Sequence, residues 1–418
     1  MSLTLAHQPH AVRARWTSAE LLVIGSSVVA PLNLLLVRSL TVYDLLIAAA
    51  FVVLIRDRAL RALPRAYVAA AYVFLLAATL SAFRATHATE ALTQIMQYAF
   101  IFFVQLPVVL TVVRTRRTAI LCLALVCAGT LAAILLAHVS QHTQGSGRAL
   151  VFYSENPNRL GYPAAYLAPL LIMLWRASRS LTPAWRALST LLCVASGYLT
   201  VWAIAASASR SSALGTLAAL IVFVACRPGV PLGRRLVQVI SLAAGVAMVA
   251  GTLFVTGSLP TTLEDRVEDS FTAEHQSSLV GDREHLANAA MIAFVQSPYL
   301  GTGLDNFRYV TTNFDLDATP QLPHNQWLQL MVQVGVFGTL ALAALLLVWF
   351  RDLVRAYRMA APADRELLWA LVAAMCGVLT IFMFAPEMLD RHYWLFVAMG
   401  LAVAARVFDE HPWVGRAG

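Results

Sequence analysis

Long apolar runs alternate with short polar turns along almost the whole chain, and their length is that of membrane-crossing helices rather than of strands. Twelve such runs are read, at residues 20–37, 40–55, 66–83, 91–113, 118–139, 160–176, 186–206, 211–226, 235–256, 324–350, 366–385 and 392–408. The polar connections lengthen in two places on one side, at 140–159 and at 257–323. Within the longer stretch, "GDREHLANAAMIAFVQSPYLG" puts Leu286, Ala290, Ala293 and Phe294 on one helical face ahead of the stop signals Pro298 and Gly301. That pattern predicts an amphipathic helix on or near the membrane surface. The expected architecture is one all-α polytopic membrane domain over 1–418, with the 257–323 loop inserted between the ninth and tenth spans.

Composition strengthens this reading and excludes a soluble globule. Hydrophobic residues make up 59% and charged residues 12% of the 418 residues, and the mean hydropathy is +0.70. The chain has no lysine, so all 30 basic residues are arginine. With the N-terminus placed in the cytoplasm, arginines recur in every second turn: Arg56 to Arg65, Arg114 to Arg117, Arg176 to Arg186, Arg227 to Arg235 and Arg351 to Arg365. The positive-inside rule then gives cytoplasmic N- and C-termini. The net charge of +8 accordingly belongs to topology and anionic membrane lipids, and no nucleic-acid partner is expected. The first run, "LLVIGSSVVAPLNLLLV", is read as a retained span rather than a cleaved signal peptide. The five cysteines fall in or beside predicted spans, with neither a disulfide framework nor zinc-type spacing.

Only nine arginines remain outside, among them Arg84, Arg148, Arg159, Arg210, Arg266, Arg283 and Arg308. Each either pairs with an outer carboxylate or meets an anionic substrate. Arg210 is the sharpest case, because its turn, "SASRSSALG", is short and carries no acid. A guanidinium there matches a phosphate in bidentate fashion. His324 begins "HNQWLQLMVQVGVFG" after Pro320 and Pro323, and is expected in the first turn of a helix, where the dipole disfavours protonation. It is either an interfacial cap or a general base for a hydroxyl. Asp44, inside the second span, is costly in lipid and is expected either to pair with Arg38 or to mark a polar pathway. Asp315 and Asp317 form an incomplete metal motif and are read as solvated loop acids. "GTGLDN" lacks the third glycine of a dinucleotide fingerprint and reads as a turn.

Four motifs together resemble the O-antigen ligase family: "HNQWLQLMVQVGVFG" from His324, "SPYLGTGLDNF" at 297–307, "SRSSALG" at 209–215 and "YSENPNRLGYPAA" at 153–165. The resemblance covers about residues 145–350. It implies a GT-C-like fold in the bacterial inner membrane. The implied activity moves a glycan from undecaprenyl pyrophosphate to a sugar hydroxyl of lipid A-core on the periplasmic face, with inversion and with no cofactor or metal. On this resemblance His324 is the base, and Arg210 and Arg283 are the functional arginines. Arg266, Arg148, Arg159, Asn156, Asn158 and Asn325 are the further substrate contacts. A polymerase of O-antigen repeats and a pilin-type oligosaccharyltransferase share the chemistry and differ in acceptor. A lipid-linked glycan transporter is the non-enzymatic rival, which the gathering of polar residues at one face disfavours.

Overall fold

The computed structural model describes residues 16–37, 40–140, 149–151, 154, 156–231, 233–238, 240–241, 244–245, 248, 273–310 and 323–411, with side chains in the 273–310 segment described for 284–309. Helices fill the positions of eleven of the twelve apolar runs, and most of the ninth run, 235–256, lies outside the described residues. In chain order the helices are α1 (Ser18–Val29), α2 (Val42–Arg56), α3 (Arg65–Ala82), α4 (Ala88–Phe100), α5 (Leu106–Val112) and α6 (Arg116–Ser140). They continue with α7 (Asn158–Gly161), α8 (Ala164–Ala177), α9 (Pro183–Ser207), α10 (Arg210–Leu220) and α11 (Ala273–Gln296). The last four are α12 (Phe307–Val310), α13 (Gln326–Met359), α14 (Pro362–Phe382) and α15 (Arg391–Glu410). A π-helical turn at Ile101–Gln105 joins α4 to α5 in one continuous span, Ala88–Val112.

Six of these elements are long and apolar enough to cross a membrane: α3, the α4–α5 unit, α6, α9, α13 and α14. Of the remaining apolar runs, α15 is long enough but carries more charge and lower hydropathy, and the others are shorter or interrupted as helices. The first run ends early because Pro31 opens a 3-10 turn and Asn33 takes a left-handed conformation. A two-stranded hairpin, Leu35–Val37 against Leu40–Thr41, follows. The sixth run divides into α7 and α8 at the Tyr162–Pro163 step.

Helix α15 is the centre of the bundle. Every residue from Arg391 to Ala404 is buried, and α15 packs against α5, α13 and α14. Its junction with α13 depends on a missing side chain: a Cβ on Gly400 would stand 2.7 Å from the Trp349 indole, whose Nε1 donates to the Val397 carbonyl at 2.8 Å. Asp44 takes Arg391 of α15 as its partner, at 2.8 Å and with both side chains buried. That pair is a long-range tie between α2 and α15; Arg38, one of the partners offered from the sequence, lies outside the described residues.

Opposite ends of the bundle carry different chemistry. At one end Asp364 meets Arg406 at 2.6 Å and Arg116 at 3.7 Å, while Glu366 meets Arg176 at 2.9 Å and Arg227 at 3.7 Å. These arginines come from turns that the positive-inside pattern groups together. The other end holds the start of α13, the α14–α15 connection and the α9–α10 turn.

Candidate functional site

The start of α13 is built by its own sequence. Asn325 is the N-cap, its side-chain oxygen accepting from the amides of Trp327 at 3.0 Å and Leu328 at 3.1 Å. His324 therefore precedes the cap, exposed at the lip, instead of lying in the first turn as expected from the two prolines. Asn325, offered as a substrate contact, has its oxygen committed to the helix.

The tenth apolar run is not one continuous helix. Gly335 (φ 67°, ψ −176°) breaks α13 into a nine-residue half, 326–334, and a longer half, 336–359. The break frees carbonyls that a membrane environment cannot satisfy. The "SPYLGTG" turn supplies the partners: the amides of Thr302 and Gly303 donate to Val332 and Gln333 at 2.9 Å each, and the Val336 amide donates to Pro298 at 2.8 Å. Contact is close enough to exclude side chains, since a Cβ on Gly335 would lie 2.1 Å from the Tyr299 carbonyl oxygen and one on Gly301 2.5 Å from Gln333. Asn306 locks the same turn by bonding the His87 amide at 2.7 Å and the His87 carbonyl at 3.1 Å. "GTGLDN" is thus a turn, as read. The face of α11 predicted to be apolar is real, but it is spent on protein: Ala290 and Ala293 are buried with Phe307 and Val332, and Phe294 and Leu328 pack alongside.

The arginine turn and the Asn-Pro-Asn segment meet at this same end. Ala208 (φ 46°) reverses the chain between α9 and α10, and Ser209 caps α10 by accepting from the Ser212 amide. Arg210 is the first residue of α10 and is exposed. Gly161 of α7 fits directly beneath, where a Cβ would lie 2.5 Å from the Ser207 Oγ and 2.6 Å from the Ser212 Oγ. Asn156 opens α7 by accepting from the Asn158 amide at 3.0 Å. Arg159, one residue on, reaches the α14–α15 connection, bonding Glu387 through two guanidinium nitrogens and approaching Asp390 at 3.7 Å. That connection is tied to α13, because the Met388 amide donates to the Gln326 Oε1 at 3.0 Å. The family-like segments are thereby linked through Arg159, Glu387 and Gln326.

Between them lies a cavity of about 190 Å³. Its wall from α13 is a stripe of Gln326, Gln329 and Gln333, spaced as one helical face. Arg159 and Glu387 stand across from this stripe, and Arg308 enters from α12, paired with Asp305. Burial and the neighbouring Asp390 carboxylate raise the Glu387 carboxyl to about 7, against the opposing pull of Arg159. It can therefore exchange a proton near neutral pH.

Of the residues proposed from sequence, Arg159, Asn156 and Asn158 lie together on or beside α7, and Arg210 adjoins them across Gly161. His324 and Asn325 stand at the start of α13. Arg283 falls within α11, with its side chain outside the described set, and Arg148 and Arg266 lie outside the described residues, as do Asp315 and Asp317. Glu387, Gln329 and Gln333 were missed. The available signal was a short charged connection, "PEMLDR", between two apolar runs on the side of the site.

No curated protein matches the chain. The family model described as O-antigen ligase matches residues 195–343, from within α9 through the arginine turn, α11 and the broken half of α13. That family consists of glycosyltransferase-like membrane enzymes of the ligase and polymerase type. The match spans about a third of the chain, so it is a likeness to the O-antigen ligase family over that stretch.

Proposed function

We propose that the protein is an O-antigen ligase of the bacterial inner membrane. It transfers a glycan from undecaprenyl pyrophosphate to a sugar hydroxyl of lipid A-core at the periplasmic face, without a metal and with inversion. The observation that carries this reading is the meeting at one end of the bundle of the arginine turn, the Asn-Pro-Asn segment and the histidine lip of α13. Loss of pyrophosphate from an anomeric carbon needs cations for the departing charge, a role given to Arg210 and Arg283 with Arg266 and Arg148 in support. The acceptor hydroxyl needs a base, a role given to the exposed His324. Asn156, Asn158, Arg159 and Asn325 are assigned as further substrate contacts, Asn156 and Asn325 also capping the segments that carry Arg159 and follow His324. The arginine-rich opposite end is the cytoplasmic one.

Purified protein mixed with undecaprenyl-pyrophosphate glycan and lipid A-core tests this reading through the mobility shift of the lipopolysaccharide. The shift is expected to survive EDTA and to fall about 10²- to 10⁴-fold in His324→Ala. A normal rate in a folded His324→Ala protein removes the histidine from the mechanism. Growth of the lipid-linked donor without lipid A-core makes the protein a polymerase, transfer to a pilin hydroxyl makes it a protein glycosyltransferase, and labelled donor crossing sealed vesicles with its covalent partner unchanged makes it a transporter.

A further inference from the structure

Two glutamines of the cavity wall have polar atoms without a bonding partner among the described residues. Gln329 is 6% exposed and Gln333 1% exposed, and both line the cavity. The Gln329 Oε1 and the Gln333 Nε2 have no hydrogen-bond partner among the described residues. A buried polar atom left so is costly, and a fold tolerates it when a ligand or solvent supplies the missing bond. Neighbouring Gln326 differs, since its oxygen is committed to the Met388 amide.

The charges around the cavity select among ligands. Its lining holds two guanidinium groups, Arg159 and Arg308, against three carboxyl groups, Asp305, Glu387 and Asp390. Both arginines are bonded to acids of the same lining. A pyrophosphate would find no net positive charge here, since the lining acids at least balance both guanidiniums. A neutral molecule with several hydroxyls needs none, because each glutamine amide offers both donor and acceptor atoms to adjacent hydroxyls. The volume, about 190 Å³, greatly exceeds the about 10–15 Å³ that one water needs, and it admits a six-membered ring.

We infer that this cavity is a saccharide subsite, holding one uncharged pyranose ring of a substrate by hydrogen bonds from its hydroxyls to Gln329 and Gln333. The choice of a sugar rests on the glycan-transfer reading; the preference for an uncharged, hydroxyl-rich ligand rests on the cavity alone. The ring belongs either to the lipid-linked donor or to the lipid A-core acceptor.

Full-length protein in detergent is probed by saturation-transfer NMR with a panel of methyl hexopyranosides, including 2-acetamido forms, and separately with inorganic pyrophosphate. At least one pyranoside is expected to receive transfer in the wild type and to lose it in Gln329→Leu and in Gln333→Leu. Both variants are expected to keep or raise the melting temperature, since the replaced atoms have no described partner. In transfer assays the variants raise KM about tenfold for one substrate, donor or acceptor, and leave the other unchanged, which identifies the source of the ring. The bound pyranoside raises the apparent KM of that same substrate in wild-type protein, a test that needs no variant. Absence of transfer to every pyranoside together with unchanged KM values overturns the inference, as does pyrophosphate binding that is lost in the two variants. A protein that binds a pyranoside through Gln329 and Gln333 yet transfers no glycan leaves the subsite standing and overturns the ligase reading.

Discussion

At the scale of single residues, Arg159 and Glu387 are the most consequential pair at the candidate site, because their two hydrogen bonds join the Asn-Pro-Asn segment to the connection ahead of α15. The raised carboxyl of Glu387 fixes the direction of a pH effect. Between the ordinary carboxylate range and about 7, the unfolded chain has released this proton while the folded protein keeps it, so stability falls as pH rises and levels off above that window. Glu387→Gln is expected to flatten this slope in melting temperatures taken from pH 4.5 to 8. Arg159→Ala should destabilise more at pH 8 than at pH 5.5, because the abandoned carboxylate is relieved by a proton only in the more acidic buffer. An equal loss at both values would show that Glu387 does not take up that proton. His324 and Arg210 were readable from sequence because each interrupts an otherwise apolar or acid-free stretch. Glu387 was not, because its meaning comes from Arg159, 228 positions away.

At the scale of elements, the broken α13 and its clasp explain why "SPYLGTG" and "VGVFG" occur in one chain. Gly335→Ala must adopt a backbone conformation reserved for glycine and push against the Tyr299 carbonyl, for a loss of at least about 1–3 kcal/mol. Gly301→Ala should behave similarly, whereas Gly25→Ala, within α1 and with nothing within 4 Å of its would-be Cβ, should be neutral or stabilising by about 0.5–1 kcal/mol. Melting of the three variants in detergent checks the order. Helix positions were legible in the sequence because runs of apolar residues near bilayer length have few alternatives. The break was not, because a glycine among apolar residues is common in membrane helices, and only the facing Thr302 and Gly303 amides make this one a discontinuity.

For the whole molecule, orientation is the property on which the proposed periplasmic placement of the site rests. Cys226 is exposed and adjoins Arg227 at the arginine-rich end, while Cys122 and Cys127 are buried. A membrane-impermeant maleimide is expected to label Cys226 in inverted vesicles and not in intact spheroplasts. The reverse pattern would turn the His324 lip towards the cytoplasm and separate it from periplasmic lipid A-core. The sequence conveyed this polarity through arginine alone. It could not convey that Asp364 and Glu366 bind several of those arginines together, because the partners come from four separate turns.

The non-helical torsion at Gly335 also resets the angular phase of α13. Before it, Gln326, Gln329 and Gln333 face the cavity; after it, Phe337, Leu340 and Leu347 form an exposed apolar stripe. A regular helix ties the bearing of one stripe to that of the other, about 100° for every residue between them. Here a single glycine uncouples them, so one helix answers to two solvents, and residues added or lost beyond the break would rotate its lipid-facing half while leaving the glutamines aimed at the cavity.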